Sequence, residues 1–255
     1  MQIKKSLIIS VTSVKGGVGK TINVLNLAGV YSNMKKRTLI IDLDLFSGDV
    51  AAILNIDYEK DIYNLFEDIT NNNYTGFNNY ISKYNEYIDI LCAPKDPRFA
   101  NKINSKIINL ILSKTTNIYD VILIDTNHFL NSINLTAFDK STEILYILND
   151  NLMNLKSMKT MVTIFDSMKK NNFKILKYDA NNKNKNVYSK MDIKNVIKHD
   201  IDYEITNSFY IKNMDRYILK GEIFTLTKDA NAYKKTVNVY KMIADDLMKQ
   251  VTYEE

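Results

Sequence analysis

Six short apolar runs, at residues 7–11, 38–41, 88–91, 121–124, 144–148 and 173–176, alternate along this chain with longer amphipathic stretches. Each run is rich in β-branched side chains and has little polar alternation, the pattern of a strand buried on both faces. The stretches between carry apolar residues at helical spacing. Helices are expected at 20–34, 101–113, 152–168, 191–197 and 230–248, with Ser189 as the N-cap of the fourth. Strands that alternate with helices connect by right-handed crossovers. The expected fold class is therefore α/β: one mostly parallel central sheet with helices on both faces. No Pro/Gly-rich hinge or internal repeat divides the 255 residues, so a single domain over 1–255 is expected. Two Asn-rich patches, 71–73 and 181–186, read as surface loops.

Composition narrows the setting. Cys92 is the sole cysteine, which rules out an intrachain disulfide and fits a reducing cytoplasm. It closes an apolar strand and reads as core. No apolar run reaches the length needed to cross a bilayer. The net charge of +5 permits weak contact with DNA without demanding it.

The first run leads directly into Ser13-Val14-Lys15-Gly16-Gly17-Val18-Gly19-Lys20-Thr21 and then into a helix. Strand, glycine-rich loop and helix in that order form a phosphate-binding loop. Gly16, Gly17 and Gly19, with Val18 between them, let backbone N–H groups turn inward, and the helix N-terminus adds its unpaired amides. Lys20 is placed to lie along the β- and γ-phosphates, and Thr21 to put its hydroxyl on Mg²⁺. ATP and Mg²⁺ are the expected ligands.

Two acidic segments belong with the loop. Asp42 and Asp44 close the second run, at the sheet edge where open α/β sheets bind ligands. Their spacing puts both on one side of an extended strand. Asp125 ends the apolar run 121–124, and about a hundred residues after a phosphate loop this reads as a Walker B acid. Asp125 would hold the Mg²⁺ hydration shell or orient Thr21. His128 is read as an ordinary loop histidine.

The additional lysine that opens the loop, Lys15, resembles the deviant Walker A loop of the ParA/MinD ATPases. That resemblance implies ATP-dependent homodimerisation, with Lys15 reaching across the interface to phosphates bound by the other subunit. It assigns Asp44 to the attacking water and places Asp42 near Mg²⁺. A cation delivered in this way is worth roughly 10³–10⁵ in rate. The segments Asp42-Leu43-Asp44-Leu45-Phe46-Ser47-Gly48-Asp49, Ala93-Pro94-Lys95-Asp96-Pro97 and Asp125-Thr126-Asn127-His128 are similar to the CpaE/TadZ branch, which localises Tad-type pili.

The chain also departs from that pattern. Asn127 stands at a usual proline, Leu176 where an asparagine commonly reads adenine, and Thr206-Asn207-Ser208 replaces a P-N-D segment. Asn207 is the remaining candidate for the base. Losing one such hydrogen bond costs near ~1 kcal/mol, so nucleotide binding survives it. The acids Asp245, Asp246, Glu254 and Glu255 near the C-terminus repel anionic lipid, which argues against direct membrane binding. Three readings stay open on sequence alone. The first is a slowly hydrolysing positional switch for a pilus or secretion apparatus, cytoplasmic and recruited to the cell pole by a protein partner. The second is a DNA-partition ATPase, and the third a nucleotide-binding scaffold with negligible turnover.

Overall fold

The computed structural model describes residues 6–179, 188–206 and 215–251. Eight strands form one sheet in the order β3-β4-β2-β5-β1-β6-β7-β8. They are β1 (Leu7–Thr12), β2 (Thr38–Leu43), β3 (Ser82–Lys83), β4 (Ile88–Leu91), β5 (Val121–Thr126), β6 (Glu143–Leu148), β7 (Phe173–Tyr178) and β8 (Tyr203–Ile205). All neighbours pair in parallel except β3, a two-residue antiparallel edge strand on β4. The six expected runs are all strands. The short β3 and β8 carry too few residues to stand out by periodicity.

Helices cover both faces. On one side lie α1 (Lys20–Asn33), α2 (Asp49–Ile53), α8 (Asp215–Lys220) and α9 (Lys234–Val251), packed on Val11, Ile40, Leu123, Leu145 and Leu176. The other side carries α3 (Ile62–Thr70), α4 (Lys106–Thr115), α5 (Ser132–Lys140), α6 (Leu152–Ser167) and α7 (Lys190–Ile197). Strand side chains alternate between these two layers, so each strand is apolar throughout. Cys92 is fully buried in the first layer, and burial pushes its thiol up to about 12.

Ser189 caps α7 as expected, in a reciprocal pair with Asp192. Two helix starts differ from expectation by more than one residue. α4 begins at Lys106 rather than 101, because Asp96 and Pro97 open a separate 3₁₀ turn over Pro97–Lys102. The Asn104 side chain then accepts from the Lys106 N–H at 3.0 Å and starts the α-helix afresh. α9 begins at Lys234, after 3₁₀ turns over Lys228–Tyr233. The patch at 71–73 is an exposed turn, whereas 181–186 lies outside the described residues. Among the described residues no helix is long and apolar enough to cross a membrane.

Candidate functional site

The loop at 13–19 connects the end of β1 to the first residue of α1 at the C-terminal edge of the sheet. Gly17 (φ 73°) and Gly19 (φ 98°) take left-handed backbone that a side chain resists. At Gly19 space also forbids one: a Cβ there would stand 2.8 Å from the Tyr178 ring. The Gly19 carbonyl accepts from the Asn23 side-chain amide at 2.8 Å, and the Tyr240 hydroxyl of α9 donates to the Asn23 carbonyl oxygen at 2.8 Å. Val18 is buried and pins the middle of the loop. Lys20 is also buried, whereas Lys15, Gly16 and Gly17 are exposed. The Ser13 hydroxyl donates to the Lys15 carbonyl at 2.5 Å, which fixes the backbone from which the Lys15 side chain projects.

The acids lie in one row. Asp125 of β5 sits in register between Val11 of β1 and Asp42 of β2. The Thr21 hydroxyl donates to Asp125 Oδ2 at 2.6 Å, while Asp125 Oδ1 is buried without a hydrogen-bond partner. Burial pushes the Asp125 carboxyl up to about 7, against the hydrogen bond from Thr21 and the charge of Lys20. Asp42 is fully buried and likewise raised, first by desolvation and then by Asp125. Its two oxygens accept from the backbone N–H groups of Asp44 (3.0 Å) and Val50 (3.2 Å). Strand β2 ends at Leu43, so Asp42 and Asp44 part company. Asp42 anchors the turn into α2 from below, and Asp44 leads that turn into the cavity. Burial raises the Asp44 carboxyl, and Lys20 opposes that shift.

A cavity of about 450 Å³ opens over the loop. Of the expected residues, Gly16, Gly17, Gly19, Lys20, Thr21 and Asp44 line it. Asp125 and Asp42 lie in the strands below, Val18 is in the core, and Lys15 is at the exposed rim. Asn207 lies outside the described residues. Leu176 is wholly buried between the sheet and the α1 layer, so the ring that meets the loop from β7 is Tyr178.

Asn127, expected only as a departure from a usual proline, and His128, expected as an ordinary loop histidine, line the cavity together with Phe129, which the sequence did not single out. Asn127 does by hydrogen bonding what a proline does by its ring: its side-chain oxygen accepts from the Phe129 N–H (2.9 Å) and from Asn134 (2.8 Å), which closes a tight turn. The signal was present in the segment Asp125-Thr126-Asn127-His128, but the role of Asn127 depends on Asn134, in the first turn of α5.

These residues fit a magnesium nucleotide. Among the described residues no cluster of three or more His, Cys, Asp or Glu side chains could enclose a metal. Mg²⁺ does not ask for one, since it takes one or two protein oxygens and completes its shell with phosphate and water. The Thr21 hydroxyl keeps its lone pairs free while it donates to Asp125, and the unpartnered Asp125 oxygen suits a metal-bound water.

Comparison with known proteins agrees with this geometry. The family model AAA_31, an AAA domain, matches residues 6–177. Over 59 residues the chain is 37% identical to the chromosome-partitioning ATPase Soj of Thermus thermophilus, a stretch that covers 23% of each protein. The fold superimposes on a ParA family ATPase from Chlorobium tepidum with a TM-score of 0.77 at 16% identity, over 96% of this chain and 99% of that one. The septum site-determining protein MinD of Pyrococcus horikoshii, solved with Mg-ADP, gives a TM-score of 0.76 at 18% identity, over 93% and 96%. With more than half of its length matched, this chain belongs to the AAA domain family that the model describes, on the fold that ParA and MinD share.

Proposed function

We propose that this chain is an ATPase of the ParA/MinD type that binds ATP–Mg²⁺, dimerises on it, and hydrolyses it slowly to switch the position of a partner. The observation that carries the reading is the Thr21–Asp125 pair at 2.6 Å beneath a left-handed glycine loop, with the second Asp125 oxygen buried and unsatisfied. In this reading the loop amides and Lys20 hold the β- and γ-phosphates, and Thr21 with Asp125 holds the metal side. Mg²⁺, when bound, neutralises charge on the phosphate oxygens. Asp42 keeps the 44–50 turn in place, and Asp44 orients the attacking water. The exposed Lys15, on a backbone fixed by Ser13, serves the phosphates of a second copy. Asn207 is assigned to the base. Catalysis is then positioning and charge stabilisation.

Titration calorimetry with Mg–ATP tests binding, and absence of heat at millimolar nucleotide on folded protein overturns the reading. Light scattering tests the trans lysine. The wild-type mass doubles with a non-hydrolysable analogue, whereas Lys15→Gln binds nucleotide and stays monomeric. A Lys15→Gln dimer would remove that role from Lys15. Phosphate release with and without the partner separates a slow enzyme from an inert scaffold.

For the cargo, the similarity of 42–50, 93–97 and 125–128 to pilus-localising relatives favours a component of a pilus or secretion apparatus, with the protein recruited to the cell pole. The identity with Soj supports a second reading, DNA partition. Retention on non-specific DNA that requires ATP and falls steeply with salt would select it.

A further inference from the structure

We propose that His128 reads the terminal phosphate of the bound nucleotide and so sets the preference for triphosphate over diphosphate. The inference rests on the nucleotide reading above and adds a residue to it.

Two rings flank the phosphate loop at opposite ends. Tyr178 meets it at Gly19, beside the start of α1, and His128 meets it at Gly16, where Cε1 and Nδ1 lie 3.7 Å from the position of an added Cβ. The amides of such a loop cradle the inner phosphates, while the lysine and the metal mark the outer ones. His128 shares its cavity with that outer set. It follows Asp125 by three residues on the same sheet edge and lines the cavity with Lys20, Thr21 and Asp44. The charges that act on its ring include Lys20 and Asp44, the two groups of this chain assigned to its own γ-phosphate and the attacking water.

Backbone and ring are both held. The Asn127 turn fixes the backbone, and the imidazole rests against the Phe129 ring, with centroids 4.1 Å apart and the planes tilted by 36°. Burial and the Lys20 charge lower the His128 pKa, and in either protonation state the ring keeps an N–H to donate. A donor at this place meets oxygens that a triphosphate has and a diphosphate lacks. The side chain is only partly buried and belongs to none of the three buried apolar clusters, so its replacement leaves the core intact.

The test compares Mg–AMP-PNP with Mg–ADP by calorimetry on wild type, His128→Ala and His128→Gln, with thermal unfolding run in parallel. A hydrogen bond to a charged oxygen is worth about tenfold or more in affinity. His128→Ala is expected to weaken the triphosphate analogue by about that factor and to leave ADP within about twofold. His128→Gln, which keeps an N–H donor, recovers much of the loss. Equal weakening of both nucleotides, or of neither, overturns the proposal. A wild-type protein that binds neither nucleotide instead overturns the nucleotide reading itself, so the two failures are distinct.

Discussion

Asp125 gathers the conflicting demands on this site into one side chain. It lies beside a second buried carboxylate, Asp42, and one of its oxygens has no partner. An ordinary Asp is ionised at neutral pH, but here burial raises the carboxyl to about 7. The folded chain therefore holds a proton that the unfolded chain has released. Its contribution to stability is complete below the ordinary carboxylate range and is lost as pH rises through about 7. Asp125→Asn removes this penalty and retains an oxygen for Thr21. We expect the nucleotide-free variant to melt higher than wild type at pH 8, with a smaller difference at pH 5.5. Its Mg²⁺-dependent nucleotide binding should fall about tenfold or more. Scanning calorimetry at the two pH values and a magnesium titration check both halves. A variant that melts lower at pH 8 would contradict the sign. That Thr21 and Asp125 lie together was legible in sequence, because a phosphate loop fixes their neighbours. The separation of Asp42 from Asp44 was not, since it follows from the strand ending one residue earlier than Asp44.

At the scale of elements, α1 is the helix on which the loop depends, and it is buried along most of its length. It packs against the 3₁₀ turn Phe224–Leu226, and Gly29 permits the approach. A Cβ at Gly29 would meet the Thr225 hydroxyl and come within 2.8 Å of Ile223. Thr225 is itself tied to α1: its hydroxyl donates to the Asn26 backbone carbonyl at 2.9 Å, its N–H donates to the Asn26 side-chain oxygen at 3.2 Å, and its carbonyl accepts from the Asn33 side chain at 3.3 Å. Alanine favours a helix interior over glycine by about 1 kcal/mol. Overpacking of a tied contact costs about 1–3 kcal/mol, and that effect should win here. Gly29→Ala is thus expected to lower the melting temperature, as denaturant unfolding would also detect. Helices with several turns and strands of four residues or more were legible from periodicity. α2, α3, α5, α8, β3 and β8 were not read, because each is short and takes its place from tertiary contacts, whereas α7, equally short, has its start marked by Ser189. α3 illustrates this: its start is set by Asp61, whose side chain caps Tyr63 and Asn64 and also accepts from the Lys95 N–H, 34 residues away.

For the whole molecule, the nucleotide edge is rimmed by exposed apolar side chains. Phe46 and Phe129 line the cavity and stand 51% and 59% exposed, and Leu130, next in the chain to Phe129, is exposed as well. A face of this kind suits a dimer more than a polyanion, whose contacts need closely spaced cations. In the leading reading, the ATP-loaded protein is expected to elute from non-specific DNA at moderate salt while it stays dimeric. Filter binding across a salt series checks this, and DNA retention at physiological salt would shift the cargo assignment to partition. Fold class was readable because alternating runs leave few topologies. The cargo was not, since it depends on surfaces whose partners leave no periodic mark.

The hydrogen bonds from Tyr240 to Asn23 and from Asn23 to the Gly19 carbonyl tie the last helix of the chain to the curvature of the loop. Tyr240 is wholly interred, so the strut is only as firm as the seating of α9. Shortening the C-terminus into that helix, or loosening it with a bulky fusion, would slacken a turn more than two hundred residues upstream. Ligand affinity measured on such trimmed or tagged chains would then report a softened cradle rather than the native one.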